Sequence, residues 1–313
     1  MNILISQNWL SEHLQTDAKV KDIQKYLSLS GPSVEHLYQK KLSSGIIDTL
    51  YDIEVTTNRV DMMSIAGIAR EAATILKRAG FATKLLHKKY PLIKQNSKQS
   101  LAVPEIVYQT DSVKRVMAVV LDGGKPQVSP QLIQDRLVEI EVNVHDAIID
   151  ITNYITHELG HPCHVFDYDK IMAMGGKIII KEAGVGKKFI TLDGVEHQTV
   201  GGEIVFENPA GEIIDLPAVK GTANSGVDNN TQRILFWFES LDAKKVRHAS
   251  MSHAIRTIAA QLNEKNVDPY LAKQVLSYGV ELLQKLAKLK VASKVYDYFP
   301  AQKMPSSVRV SWQ

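Results

Sequence analysis

The stretch RILFWFE at 233–239 constrains the fold most, because it is apolar on both of its alternating faces and so reads as a central strand covered on two sides. The sequence around it supplies the covering elements. Strands are expected at 116–121, 177–181, 189–192, 198–207 and 212–216, with a hairpin at Asp193-Gly194 and a turn in the NPAG run at 208–211. Helices are expected after Ser129-Pro130, after Asp242 and after Asp268-Pro269. In the last of these, Leu271, Val275, Leu276, Leu283 and Leu286 form one apolar stripe.

Upstream, 1–5 reads as a strand, followed by a helix carrying Trp9, Leu10 and Leu14, a second helix over 20–27, a turn at 30–33 and a strand at 51–55. A further helix is expected to be capped by Asp61 and to stop at Gly80, with Ile65, Ile68, Ala69, Ala72, Ile75 and Leu76 on one face. The polar run HKKYPLIKQNSKQS at 87–100 reads as a linker. The expected class is therefore α+β. A small N-terminal α/β module occupies 1–87, a three-layer mixed α/β module with a β-rich core occupies 101–298, and 299–313 reads as the start of a truncated following module.

Composition narrows the function classes. A chain of 313 residues, 44% hydrophobic and 23% charged, is folded, and no apolar run approaches the ~20 residues that a spanning helix requires. The N-terminus MNILISQNWLSEHL turns polar too early for a secretory signal. Cys163, the single cysteine, forms no internal disulfide, which fits a reducing compartment and a cytoplasmic location. A net charge of +3 permits RNA as a partner without arguing for it. The GVGKK string at 184–188 lacks the spacing of a nucleotide loop and reads as a turn. His157, His161, Cys163 and His164 crowd soft and imidazole ligands together, but exposed loop histidines beside a buried thiol are the ordinary reading, and no metal is expected. Asn58 and Asp61 read as turn and cap residues rather than RNA contacts, and Phe236, Trp237 and Phe238 as strand core.

Two ordered blocks carry a resemblance: NRVDMMSIAGIARE at 58–71, and DITNY at 150–154 followed by ELGHPCHVFD at 158–167. With TLDGV at 191–195, LDAKKVR at 241–247, and Arg256-Thr257 followed by Val267-Asp268-Pro269, they resemble the β chain of bacterial phenylalanyl-tRNA synthetase. The resemblance implies an editing module, which in the family hydrolyses tyrosine wrongly esterified to the phenylalanine tRNA. It implies that tRNA and the synthetase α subunit as partners, no membrane, and no cofactor in this region; ATP and magnesium belong to the complete synthetase. The family's tRNA-binding oligonucleotide-fold insert has no room here, since only 39–50 stands in its place. The modules that dock the α chain would follow Gln313, so this chain alone is not expected to charge tRNA.

The need for editing is physical: an apolar pocket rejects an added hydroxyl by only about a hundredfold. Residue by residue, the resemblance places Thr152, Asn153 and His164 at the family's Thr-Asn pair and pocket histidine, the catalytic positions, and Thr257 and Ala259 at its pocket Thr and Ala. The family's GVMGG turn reads AVKGT, with Ala218 and Gly221 at two of its glycines. Trp237 stands at the glutamate that accepts the tyrosine hydroxyl, and an indole offers only a donor. Glu239, two residues on, is shifted by about 6.5–7 Å and would replace it only through a slipped strand. Impaired tyrosine editing is the expectation. The alternatives are a non-catalytic structural or RNA-positioning module and a free-standing deacylase acting in trans.

Overall fold

The computed structural model describes residues 1–42, 44–91, 93, 100–300 and 307–311. The chain opens with β1 (Asn2–Ser6), whose last residue caps α1 (Gln7–Leu10): Ser6 Oγ accepts from Trp9 N–H at 3.1 Å. Leu14, expected on this helix, instead begins β2 (Leu14–Thr16), because the helix closes after one turn. Then come α2 (Val20–Ser30) and the antiparallel pair β3 (Ser33–Lys41) and β4 (Ile47–Glu54), which hold 39–41 and 47–50 of the short segment. β4 is the middle strand of an antiparallel β1-β4-β3 sheet.

In α3 (Ile65–Arg78) the cap is Ser64, not Asp61, with Ser64 Oγ accepting from Gly67 N–H at 3.0 Å. Asp61 lies in the preceding 3-10 turn, where its carboxylate binds Arg59 at 2.9 Å and Arg70 at 3.0 Å. The helix ends as expected: Gly80 has φ +94°, its N–H reaches Lys77 O, and Phe81 N–H reaches Leu76 O. β5 (Thr83–Leu85) then pairs with β2.

The second portion runs β6 (Glu105–Tyr108), β7 (Val113–Asp122), α4 (Gln131–Glu139), α5 (Ala147–Leu159), β8 (His164–Asp167), α6 (Tyr168–Ala173) and β9 (Lys177–Glu182). Ser129 does not cap α4. Pro130 holds that position, and the Ser129 hydroxyl donates to the buried Asp150 carboxylate instead. The chain continues through β10 (Val185–Ile190), β11 (Glu196–Val200), β12 (Ile204–Glu207), β13 (Ile213–Leu216), β14 (Lys220–Gly221) and β15 (Arg233–Leu241), then α7 (Ala243–Ser252), α8 (Ile258–Asn263), α9 (Ala272–Leu286), β16 (Lys290–Val291) and β17 (Tyr296–Tyr298). The GVGKK string is an arm of the β10–β11 hairpin rather than a turn, and the expected strand at 198–207 is split by Gly201-Gly202, both at positive φ. Part of the expected linker, residues 92 and 94–99, and most of the expected terminal module, residues 301–306 and 312–313, lie outside the described residues.

These strands form two large sheets, β14-β13-β12-β9-β6 and β16-β7-β15-β8, the second also carrying β17 on β7. β15 lies between β7 and β8 and pairs antiparallel with both. Its side chains divide by parity, as a period of two requires. Phe236 and Phe238 join the helical core with Ile155 of α5 and Val275 of α9, whereas Leu235 and Trp237 join the inter-sheet core with Phe166, Ile180 and Phe206. Three layers result: helices, sheet, sheet. The helical core is continuous with Trp9, Leu10 and Ile68 of the N-terminal portion.

A buried polar knot reinforces that seam. Glu158 at the end of α5 is fully buried and meets His13 at 3.0 Å, Lys88 at 2.5 Å and the Tyr278 hydroxyl at 3.2 Å. Burial alone would raise its pKa, but the His13 hydrogen bond and the Lys88 charge win and bring it down to about 2. Beside it Arg136 binds Glu12 and the Tyr154 hydroxyl, while Trp9 stacks on Tyr154 at 4.6 Å.

α9 approaches β15 closely only because Gly279 lacks a side chain: a Cβ there would stand 2.3 Å from Phe236 Cζ. Gly279→Ala is therefore expected to destabilise the chain by about 1–2 kcal/mol, overpacking outweighing the gain in helix propensity. A lower urea midpoint with an unchanged slope checks this; an unchanged or higher midpoint contradicts it.

Candidate functional site

α5 is aimed by its two ends. Asp146 caps it by accepting from Ile148 and Ile149 N–H, and Gly160 ends it at φ +80°, so the following Pro162-Cys163 turns the chain back into β8. This return sets Thr152 and Asn153 on the helix beside His164 on the strand. The Thr152 hydroxyl donates to Ile149 O at 2.7 Å, and its carbonyl accepts from the Thr156 hydroxyl at 2.8 Å and the Cys163 thiol at 3.7 Å. No protein group holds the Asn153 amide among the described residues, and it lines a cavity of about 340 Å³.

The structure brings all nine residues singled out from the sequence to that one cavity: Thr152, Asn153, His164, Ala218, Gly221, Trp237, Glu239, Thr257 and Ala259 all line it. His164 is paired across β8–β15 with Trp237 and packs edge-on against Phe166 at 4.6 Å. Gly221 lies so near that a Cβ on it would be 3.2 Å from His164 Cε1 and 2.9 Å from Leu192 Cδ1. Thr257 caps α8, accepting from Ala260 N–H at 3.1 Å and donating to Val219 O at 2.7 Å, which ties the helix to the loop after β13.

The floor differs from a simple substitution of tryptophan for glutamate. Trp237 is completely buried, edge-on to Phe166 and Phe206, and its Nε1–H donates to Glu239. Glu239 also accepts from Ala218 N–H at 2.7 Å. The pairing of β15 with β7 is regular from Arg233 to Ser240, with an irregularity before Leu241. Ala218 makes its bond from the left-handed region, φ +59°, where a methyl group costs about 1–2 kcal/mol.

Among the lining residues not singled out from the sequence, two have an unpaired polar atom. Asp215 on β13 and Asn263 at the end of α8 are buried, and one side-chain oxygen of each has no partner among the described residues; nor has His164 Nε2. The signal for Asp215 was an acid inside the aliphatic run IIDL; Asn263 gave none. Burial raises Glu239 to about 7, and burial with the neighbouring Glu239 charge raises Asp215 well above the usual carboxylate range. Burial lowers His157, His161 and His164 to about 4, which keeps these imidazoles neutral near pH 7. It pushes the Cys163 thiol up, so the sulfur is no thiolate. His161 is fully buried rather than loop-exposed, with Nδ1 at 2.9 Å from Pro162 O, and His157 and His164 are only partly exposed. Among the described residues no three His, Cys, Asp or Glu side chains converge to hold a metal ion.

Residues 112–288, which contain every one of these positions, match the B3/4 domain family. The chain belongs to that family. It is 31% identical over 268 residues to the phenylalanine–tRNA ligase β subunit of Clostridium acetobutylicum, covering 86% of this chain and 33% of that protein. To the same subunit of Clostridium tetani it is 32% identical over 267 residues, covering 85% and 33%. The chain thus spans about a third of the length of these relatives. An N-terminal fragment of the phenylalanyl-tRNA synthetase β subunit from Pyrococcus horikoshii aligns with a TM-score of 0.41 at 15% identity, over 85% of this chain and 74% of that one.

Two expectations follow for this B3/4 cavity. Ala218→Gly relieves the left-handed strain but loosens the unfolded chain, for a net stabilisation of about 0.5–1 kcal/mol, read as a higher urea midpoint. For Glu239, a folded value of about 7 against an ordinary 4.5 means that the native state holds the proton more tightly. Its contribution is complete below pH 4.5 and is lost as pH rises to about 7. Glu239→Gln carries a constant cost from one orphaned N–H. The diagnostic is its stability difference from the wild type, which should move in the variant's favour as pH rises across that window. A pH-independent difference contradicts the assignment.

Proposed function

We propose that this chain is an aminoacyl-ester editing module of a phenylalanine–tRNA ligase β subunit, hydrolysing a mischarged amino acid, tyrosine, from the 3′ end of the phenylalanine tRNA. The observation that carries the reading is the cavity walled by Asn153 and His164, with unpaired polar atoms at His164, Asp215 and Asn263 left within it. Unpartnered buried polar groups cost stability unless a ligand uses them. A volume of about 340 Å³ with apolar walls at Leu192, Leu216 and Val219 accommodates an aromatic ring.

In the proposed reaction a water oxygen bonds to the ester carbonyl carbon, the bond from that carbon to the ribose oxygen breaks, and the water proton ends on the ribose oxygen. The Asn153 amide, which no protein group holds among the described residues, hydrogen-bonds the ester in this reading. His164, neutral and lowered to about 4, is a weak base at pH 7, so its task is to orient the water rather than to store its proton. No metal or cofactor enters these steps; ATP and magnesium are assigned to charging by the complete synthetase, with the α subunit as partner. No helix among the described residues is long and apolar enough to cross a membrane, and the reading places the work in the cytoplasm.

A second reading has its own observation. Glu239 is held by two protein N–H groups, as in a pocket that has stopped reading hydroxyls and only positions RNA. The purified chain separates the two on tyrosyl- and phenylalanyl-tRNA. Hydrolysis of the tyrosyl ester above the uncatalysed rate, falling about 10–100-fold in His164→Ala and in Asn153→Ala, is expected. No hydrolysis by the wild type would favour the positioning role, and equal hydrolysis of both esters would indicate a general deacylase acting in trans.

A further inference from the structure

The two acids on the cavity floor differ in what they have left to offer. Glu239 takes Ala218 N–H on one oxygen and Trp237 Nε1–H on the other, so each of its oxygens already accepts one bond from the protein itself. Trp237 has thereby used its one polar atom. Asp215 is different. It stands on β13 in register with Phe206 of β12 and Gly221 of β14, on the face that carries Phe206 and Ile180 toward the second sheet. It is 3% exposed, lines the cavity, and its Oδ1 has no partner among the described residues. A carboxyl kept there in place of an aliphatic side chain destabilises the strand, which is the mark of a group retained for a ligand.

We infer that Asp215 is the specificity-determining residue of the cavity, its carboxyl hydrogen-bonding a hydroxyl at the far end of the amino-acid side chain of the bound ester. This deepens the ester-hydrolysis reading and rests on it. A carboxyl suits the task in either protonation state, accepting a hydroxyl proton on one oxygen or donating its own. The apolar walls take the ring that carries the hydroxyl, and Gly221, next to Asp215 in the ladder, lets the strand pack closely against His164 and Leu192 beside it. A side chain lacking the hydroxyl gains the same apolar contacts but leaves Oδ1 as it is in the empty cavity. Discrimination between tyrosine and phenylalanine is thus placed on this one oxygen, on a different strand and in the opposite sheet from Trp237.

The test uses the full chain and its Asp215→Ala and Asp215→Asn variants on tyrosyl- and phenylalanyl-tRNA. Asp215→Ala is expected to lower the ratio of tyrosyl to phenylalanyl hydrolysis by about 10–100-fold, with the phenylalanyl rate within about twofold of wild type. Its thermal midpoint should equal or exceed that of the wild type, since a buried carboxyl with one unpaired oxygen has been removed. Asp215→Asn, which keeps an acceptor and a donor, should hold most of the ratio. An unchanged ratio in Asp215→Ala overturns the inference, as does an equal loss of both rates. If the wild type hydrolyses neither ester, the ester-hydrolysis reading fails by itself. Calorimetric titration with non-hydrolysable tyrosyl- and phenylalanyl-amide analogues of the terminal adenosine then decides on Asp215. A tyrosyl preference lost in Asp215→Ala supports the inference, and its absence in the wild type overturns it.

Discussion

Burial of β15 on both faces is the constraint on which the rest of the molecule depends. Each large side chain it buries contributes about 1.5–3 kcal/mol, and no single layer could cover Phe236 and Phe238 on one side and Leu235 and Trp237 on the other. Helices must therefore pack on one face and a second sheet on the opposite one. The cavity opens where that arrangement runs out, at the edge strand β8, between the end of the inter-sheet core and helices α5 and α8. Its walls come from elements far apart in sequence, and a solid core fixes their spacing.

Much of this was legible in the chain itself. RILFWFE read as a central strand, and the Asp193-Gly194 hairpin, the Asp242 cap and the stop at Gly80 were found where local chemistry put them. Local signals failed where a tertiary partner competed for the same atom. Asp61 and Ser129 are both good caps by type, yet one is held by arginines and the other by a buried carboxylate, bonds that involve residues nine and twenty-one positions away. Leu14 kept its apolar character but moved to a strand because β5 was there to pair with.

The site was readable for a different reason. Sequence blocks shared with a family name residues without saying how they meet, and here the nine positions meet in one hollow. What the blocks could not convey is the bonding on the floor. That Trp237 turns its N–H to Glu239, and that Ala218 adopts a glycine-like φ to reach the same carboxylate, are facts of packing between strands. Asp215 was overlooked because its meaning lies in a bond that is missing, and sequence patterns record only which groups are present.

The polar knot at Glu158 bears on how the chain may be divided. Two of the three groups that meet this carboxylate, His13 and Lys88, come from before the sequence 94–99, and the third, Tyr278, comes from long after it. Scissors applied at that point would leave a buried ionised acid without its cationic partner at the end of the helix that carries Asn153, with a penalty of several kcal/mol. The frontier that composition draws through the polypeptide is therefore crossed by a welded joint, and the hollow is anchored from both sides of it.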